Sequence, residues 1–394
     1  MKLPRGFLAS GVTAGVRKKP GADLVLLYAP EGADAAAIFT KNRFQAAPVV
    51  LSRAALKKSR GRVRAVVANA GCANAITGLA GTRAAERVRD CAAELLACPP
   101  SEIFMASTGV IGQVLPDKKI RTALPGSYAR LSASGLTAAS QAILTTDAGP
   151  KVAQASFQLG GKRGQVTAFG KGAGMIHPNM ATMLAFVMTD ASIAPAVLKQ
   201  ALVRAADSSF HAISVDGDTS TNDTVLLMAS GVLGNPRVTK LDDAQDFLRA
   251  LTQVCKSLAW MIVRDGEGAT RVLDVEVTGA KNVREAALAV HAIITSPLVK
   301  TAVHGGDPNW GRVLAAVGRS GASLALSKVS LHIGKLALVE RGEPVVYKER
   351  DAARLFGKER VPLFVDLGVG VASSRRMACD FGHEYVTVNA DYRS

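Results

Sequence analysis

The sequence predicts an α/β protein, a layered sandwich of buried sheets covered by helices. Strand-like and helix-like periods alternate through most of the 394 residues. The largely apolar AVVANA and the unbroken apolar LAFVM read as buried strands. Polar, glycine-rich stretches mark the ends of elements, with neither an internal repeat nor a low-complexity linker between them. The length admits two or three domains or one large layered unit.

RVRAVVANA, Arg62 to Ala70, is expected to be a strand running into a glycine-bearing loop. TRAAERVRDCAAELLACPP follows it. Ala84, Val88, Cys91, Leu95 and Cys98 recur there at helical spacing, and Pro99-Pro100 is expected to stop the helix. Pro195 opens a second helix carrying Leu198, Ala201, Leu202 and Ala205, with proline in the first turn, where its missing N–H is harmless. A third spans about Asp242 to Trp260, with Phe247, Leu251, Val254 and Leu258 on one face and an acidic start that suits the helix dipole. In RVLDVEVTGA, Leu273, Val275 and Val277 alternate with Asp274 and Glu276, the period of a strand. KVSLHIG and KLALVERGEPVV suggest a hairpin or meander.

Composition narrows the function classes. Hydrophobic residues make 48% and charged residues 20%, an ordinary globular balance that argues against disorder. Aromatics are only 5% and glycines number 37, so the core should be built from Ala, Val and Leu. Net charge is +16, which raises a nucleic-acid reading. The densest basic run, KKSRGRVR (Lys57 to Arg64), has no interleaved aromatics to stack on bases and leads straight into a strand. A solvated face, or a surface that attracts small anions, accounts for it better. Five scattered cysteines without a CxxC oppose a disulfide framework or a zinc site and suit a reducing compartment. Neither a signal-peptide core nor an apolar run of about 18 residues occurs, so a soluble, cytoplasmic protein is expected.

Familiar loop readings fail on their details. GKGAGM lacks the GxxxxGK[ST] of a phosphate loop. VDGDTSTND, counted as a calcium loop from Asp216, places Thr221 and Leu227 where Gly and Glu are needed. Asp216, Asp218 and Asp223 are expected instead to bond backbone amides within a tight turn. The histidines are dispersed, with neither HExxH nor a GxSxG elbow. Cys72, in a glycine-rich loop, is read as a packed small residue rather than a reactive thiol.

KGAGMIHPNMATMLAFVMTDA, Lys171 to Ala191, sets one hydroxyl, Thr182, between a polar loop and an apolar run. Threonine is a poor nucleophile unless a base adjoins it. Its own α-amino group can be that base if the threonine is an N-terminus. An α-amine has a pKa of about 7.7–8.0, near working pH. An internal Thr182 would therefore require the chain to cut itself between Ala181 and Thr182. Read locally, a β-branched residue that merely begins a strand fits as well.

Taken together, NAGCANAITG, STGVIG, TTDAGPK, KGAGMIHPNMATML, VDGDTSTNDT, RDGEGATR, KTAVHGGDPNWGR and NADYRS resemble the ornithine acetyltransferase family, the ArgJ proteins of arginine biosynthesis. The resemblance runs in order from GFLASGV to the last residue. It implies a self-cleaving enzyme with an N-terminal threonine nucleophile that moves acetyl from N-acetylornithine to glutamate. It implies an α chain of residues 1–181 and a β chain of residues 182–394 that stay together, as a heterotetramer of two αβ pairs. Thr182 falls on the nucleophile, and Thr108 and Gly109 on the oxyanion hole. Lys171, Glu267, Asn389 and Ser394 fall on substrate-binding positions, as does Thr145, with Thr146 an open alternative. No metal or organic cofactor is implied; acetyl-CoA enters as an acetyl donor if the enzyme is bifunctional.

The chain departs from the family pattern at Ser394, Cys72, Ala148 and Ala173, which touches substrate fine-tuning rather than the nucleophile. A rival on the same scaffold is an N-terminal-nucleophile amidohydrolase or aminopeptidase that passes the acyl group to water. A rival of another class is a basic nucleic-acid-binding protein, which predicts steeply salt-dependent binding.

Overall fold

The computed structural model describes residues 1–177 and 183–391. They form two compact units. Among the described residues, one comprises Met1–His211 with Asp218–Ile262, and the other joins Ala212–Gly217 to residues 263–391.

The strands of the first unit are β1 (Leu8–Val12), β2 (Leu24–Phe39), β3 (Arg62–Cys72), β4 (Ile103–Val110), β5 (Lys151–Leu159), β6 (Lys162–Lys171) and β7 (Leu184–Thr189). After β8 (Ile213–Ser214), which belongs to the second unit, comes β9 (Thr224–Ala229). Their order is β4-β3-β2-β9-β7-β6-β5, with β1 also paired to β2. The β2 strand, which the sequence reading did not anticipate, is central. It pairs with β3 on both sides of a register shift between Tyr28 and Ala33, while its first half also pairs with β1 and its second, from Asp34, with β9. The stretch APEGAD, which reads as a turn by composition, is this irregularity.

The sheet is buried on both faces, which is why its strands read as apolar runs. Leu24, Leu26, Val67 and Met105 pack with Ala84, Val88 and Leu124 on one side. Val25, Leu27, Val66 and Phe104 pack with Leu136 and Ala139 on the other. The helix Gly78–Leu95 buries Ala84 and Val88 as expected, but it ends before Cys98. Ala97 adopts a left-handed backbone (φ 47°), so the chain has left the helix before it reaches the prolines. Pro195–Asp207 begins at its proline. The third helix is Gln245–Arg264, displaced from its expected start because Leu241–Ala244 form a separate 3₁₀ turn. Its Phe247 meets Phe157 of β5 edge to face at 5.4 Å.

The second unit holds β8 with β10 (Val272–Ala280), β11 (Ser330–Ile333), β12 (Leu336–Glu340), β13 (Glu343–Pro344), β14 (Arg360–Asp366) and β15 (Ala372–Cys379). Their order is β13-β12-β11-β14-β10-β15-β8. Leu273, Val275 and Val277 face a helical layer that includes Ala286, Val290 and Ile293 of helix Val283–Ile294. Asp274, on the opposite face, is also buried and takes charge-assisted hydrogen bonds from Arg360 and Arg375. The architecture is the expected one, buried sheets covered by helices. Among the described residues, no single helix is long and apolar enough to cross a membrane.

Candidate active site

Ala181 and Thr182, the expected cleavage pair, lie outside the described residues, as does Ser394. Met183, the next residue along the chain, is buried and held from two directions. Its N–H donates to Asp223 Oδ1 at 3.1 Å, and its carbonyl accepts the Thr224 N–H at 3.0 Å. From Leu184 the strand is zipped to Lys171 of β6 on one side and to Thr224 of β9 on the other. Here an expectation is corrected. The Asp223 amide partner is not local to a turn but 40 residues away.

Thr108 and Gly109 lie near the end of β4, paired with Ala70 and Gly71 of the parallel β3. Thr108 is buried, and Gly109 has φ +126°, a conformation that glycine alone adopts freely. The two backbones approach so closely at Gly109 that a Cβ would lie 2.4 Å from the Gly71 carbonyl carbon.

Lys171 ends β6 and is almost wholly buried. Its Nζ donates to Thr145 Oγ1 at 2.7 Å and to Thr108 Oγ1 at 3.4 Å. The structure therefore joins Lys171, Thr108 and Thr145 directly, with Gly109 adjacent in the chain. Beneath them lies Asp147, which the sequence reading passed over. Its side chain is fully buried, 3.7 Å from Lys171 and 2.7 Å from Lys151, and it accepts the Gly172 N–H at 2.7 Å. Burial alone would raise its carboxyl. The charges of Lys171 and Lys151, with hydrogen bonds from Lys151 and Gly172, outweigh that and hold it far below the usual carboxylate range. Asp147 is thus a fixed negative charge under Lys171. Its signal was present in TTDAGPK, an acid flanked by a hydroxyl pair and a lysine.

Cys72 is packed as expected. Its Sγ lies 3.3 Å from the Gln113 carbonyl, and burial pushes the thiol up, away from a reactive thiolate.

Two predicted residues of the second unit meet. Asn389 Nδ2, in the helix His383–Asp391, donates to Glu267 Oε2 at 2.8 Å. The loop carrying Glu267 presses on this helix through Gly268 (φ +71°), whose Cβ would lie 2.5 Å from the Tyr385 amide nitrogen. Asp380 anchors the arrangement and was also missed. It accepts N–H bonds from Thr270 at 2.8 Å and Arg271 at 3.0 Å, and lies 2.8 Å from His304 Nδ1. In DPNWGR, Asn309 caps the helix Trp310–Gly318 by accepting the Arg312 N–H at 3.2 Å. Among the described residues, no group of three His, Cys, Asp or Glu is arranged to hold a metal ion.

The sequence model of the ArgJ family matches residues 8–394. An arginine biosynthesis bifunctional protein ArgJ from Chlorobaculum tepidum is 43% identical over 392 residues, covering 99% of this chain and 96% of that protein. The protein of the same name from Symbiobacterium thermophilum is 44% identical over 394 residues, covering 99% and 98%. Among solved structures, the arginine biosynthesis bifunctional protein ArgJ of Bacillus halodurans superposes with a TM-score of 0.50 at 41% identity. It covers 52% of this chain and 98% of its own.

Proposed function

The chain belongs to the ArgJ family of arginine-biosynthesis acyltransferases, and from that premise we propose that Thr182, freed by self-cleavage after Ala181, is the nucleophile of a ping-pong acetyl transfer from N-acetylornithine to glutamate. The Thr182 hydroxyl attacks the acetyl carbonyl while its own α-amine takes the proton. The Thr108 hydroxyl and Gly109 N–H stabilise the oxyanion of the tetrahedral intermediate. Ornithine leaves with the proton, acetyl remains as an ester on Thr182, and the glutamate amine then attacks that ester. Lys171 receives a substrate carboxylate and Glu267 a substrate amine, with Thr145, Asn389 and Ser394 completing substrate capture.

The observation that carries this reading is the convergence of Lys171, Thr108 and Thr145, at 3.4 and 2.7 Å, in the unit where β7 begins just after Thr182. That contact favours Thr145 over Thr146 as the substrate-facing hydroxyl. Cleavage also suits the topology. Strands β9 and β7, beyond the cut, lie between β2 and β6, which precede it, so fragments 1–181 and 182–394 stay interleaved. The solved relative's chain, about half as long as this one, agrees with a two-chain mature form. We assign the assembly as a heterotetramer of two αβ pairs. The relatives are named bifunctional, which supports a second acetyl donor, and we assign acetyl-CoA to that role, with no bound cofactor. The free cysteines suit a reducing compartment, the cytoplasm in this reading.

Intact mass and N-terminal sequencing test the cleavage. Dividing 41.0 kDa in the ratio 181 to 213 gives pieces of roughly 19 and 22 kDa, the larger beginning Thr-Met-Leu-Ala. A lasting single chain removes the amine base and defeats the mechanism. Isotope exchange between acetylornithine and ornithine without glutamate tests the covalent half-reaction. Acetate release that ignores glutamate would reassign the enzyme as a hydrolase.

A further inference from the structure

The motif VDGDTSTND has no part in the mechanism above, yet its last residues touch both halves of the machinery. Asn222 and Asp223 are buried, at 4% and 0% exposure. Asn222 Nδ2 donates to the Ser107 carbonyl, one residue before Thr108, at 2.8 Å, and to the Ala73 carbonyl at 2.7 Å. Thr221 Oγ1 donates to Asn222 Oδ1 at 2.6 Å, which turns the amide nitrogen toward those carbonyls. Asp223 Oδ1 accepts the Met183 N–H at 3.1 Å, and that N–H belongs to the peptide bond joining Thr182 to Met183. Two neighbouring side chains therefore grip the arm that leads to the nucleophile and the arm that ends in the oxyanion pair.

The grip on Met183 is not one that the sheet would supply. The ladder between β7 and β9 reaches only to the Met183 carbonyl, bonded to the Thr224 N–H, and Asp223 accepts the N–H beyond it. A carboxyl is also an unfavourable acceptor at this place. Asp223 Oδ2 is buried with no well-formed hydrogen bond among the described residues, the nearby Thr40 hydroxyl donating to the Ser220 carbonyl instead. Burial pushes the carboxyl well above its ordinary range against the opposing pull of the Met183 N–H, Thr40 and Lys171. The fold alone gains nothing from an unsatisfied buried oxygen.

We propose that Asn222 and Asp223 are positioning residues that hold Thr182 in register with Thr108 and Gly109, Asp223 by accepting the Thr182–Met183 amide and Asn222 by anchoring the Ser107 carbonyl. The proposal rests on Thr182 being the nucleophile and Thr108 with Gly109 the oxyanion pair. Neither residue needs to touch substrate, and an error of about 1 Å at a reacting centre is worth on the order of a hundredfold in rate. The loss on removing the grip belongs in kcat and in the rate of self-cleavage, not in KM.

The test compares Asp223→Ala with Asp223→Asn, whose side-chain oxygen can still accept the Met183 N–H. Cleavage is followed on denaturing gels after expression, and folding by circular dichroism. Asp223→Ala is expected to slow cleavage at least about tenfold, and its cleaved fraction to lose about a hundredfold in kcat with KM for acetylornithine within about twofold. Asp223→Asn is expected to cleave within about threefold of the wild-type rate. The proposal is overturned if folded Asp223→Ala matches wild type, if its loss lies in KM, or if folded Asp223→Asn is as slow as Asp223→Ala. Should Asp223→Ala fail to fold, Asp223→Asn alone decides. A wild-type chain that stays uncut and forms no acetyl-threonine ester is a different result, the failure of the reading on which this one stands.

Discussion

A methyl group on Gly109 would stand 2.4 Å from the Gly71 carbonyl carbon and 2.6 Å from the Cys72 amide nitrogen. Gly109→Ala must therefore push β4 from β3 at the N–H that we propose as an oxyanion donor. We expect kcat to fall by about 10² to 10³-fold, the loss typical of one oxyanion donor, with circular dichroism unchanged. Two buried acids give opposite responses to pH. Asp147 is held below its ordinary 3.8, so folding gains from its charge above that value and loses the gain as pH falls further. Asp147→Asn should thus lower the melting temperature at pH 7, with the gap to wild type closing as pH falls below about 3.8. Asp223 is held above 3.8, so the folded state binds its proton more tightly and stability falls as pH rises through that range. Asp223→Asn should raise the melting temperature at pH 7 and lose that advantage near pH 3.8 and below. Thermal melts across pH check both signs. Asp147 left a local trace in TTDAGPK, where Lys151 is its near partner, but its reach to Lys171 and that of Asp223 to the amide of Met183 join segments too far apart in the chain to read. Thr108 and Gly109 entered only through the family resemblance carried by STGVIG, and the structure adds the buried hydroxyl and the left-handed glycine at those positions.

Among elements, β10 and β2 show what a pattern can and cannot carry. In β10 the alternation of Leu273, Asp274, Val275, Glu276 and Val277 is the alternation of faces, so strand and orientation were both readable. The pattern could not show that Asp274 is 2% exposed and held by two arginines from β14 and β15. Asp274→Ala leaves Arg360 and Arg375 facing each other without their shared anion. Since both arginines are half-exposed, water softens the loss, and we expect about 1–3 kcal/mol by chemical denaturation, below the range for a fully buried pair. The β2 strand failed to register because Pro30, Glu31 and Gly32 carry turn chemistry into the middle of a strand. There the ladder with β3 slips register and β9 succeeds β1 as the other partner, and the residues that permit the irregularity are those that conceal the strand. The helix end near Cys98 misled for a related reason. Apolar spacing continues past Leu95, but Ala97 has already turned left-handed.

For the molecule as a whole, the α/β class was legible, while strand order was not, since order depends on contacts between segments far apart in the chain. That order matters most for the proposed cut between Ala181 and Thr182. In the first sheet, β9 and β7 belong to residues 182–394, and their flanking neighbours β2 and β6 to residues 1–181. Native chromatography should therefore keep the two pieces together, and only denaturant should part them. The same interleaving changes the kinetic order of folding. Before the cut, one tether keeps the halves at an effective concentration on the order of millimolar, and assembly is a first-order event. Afterwards, any unfolded molecule must find its other half by diffusion. Thr182→Ala, locked as a single chain, should regain its fold after dilution from denaturant with a yield independent of concentration, whereas the cut enzyme's yield should drop on dilution. If the chain is cut as proposed, the working lifetime of the two-chain form is set by how rarely it unfolds, and each molecule has a single opportunity to fold unaided.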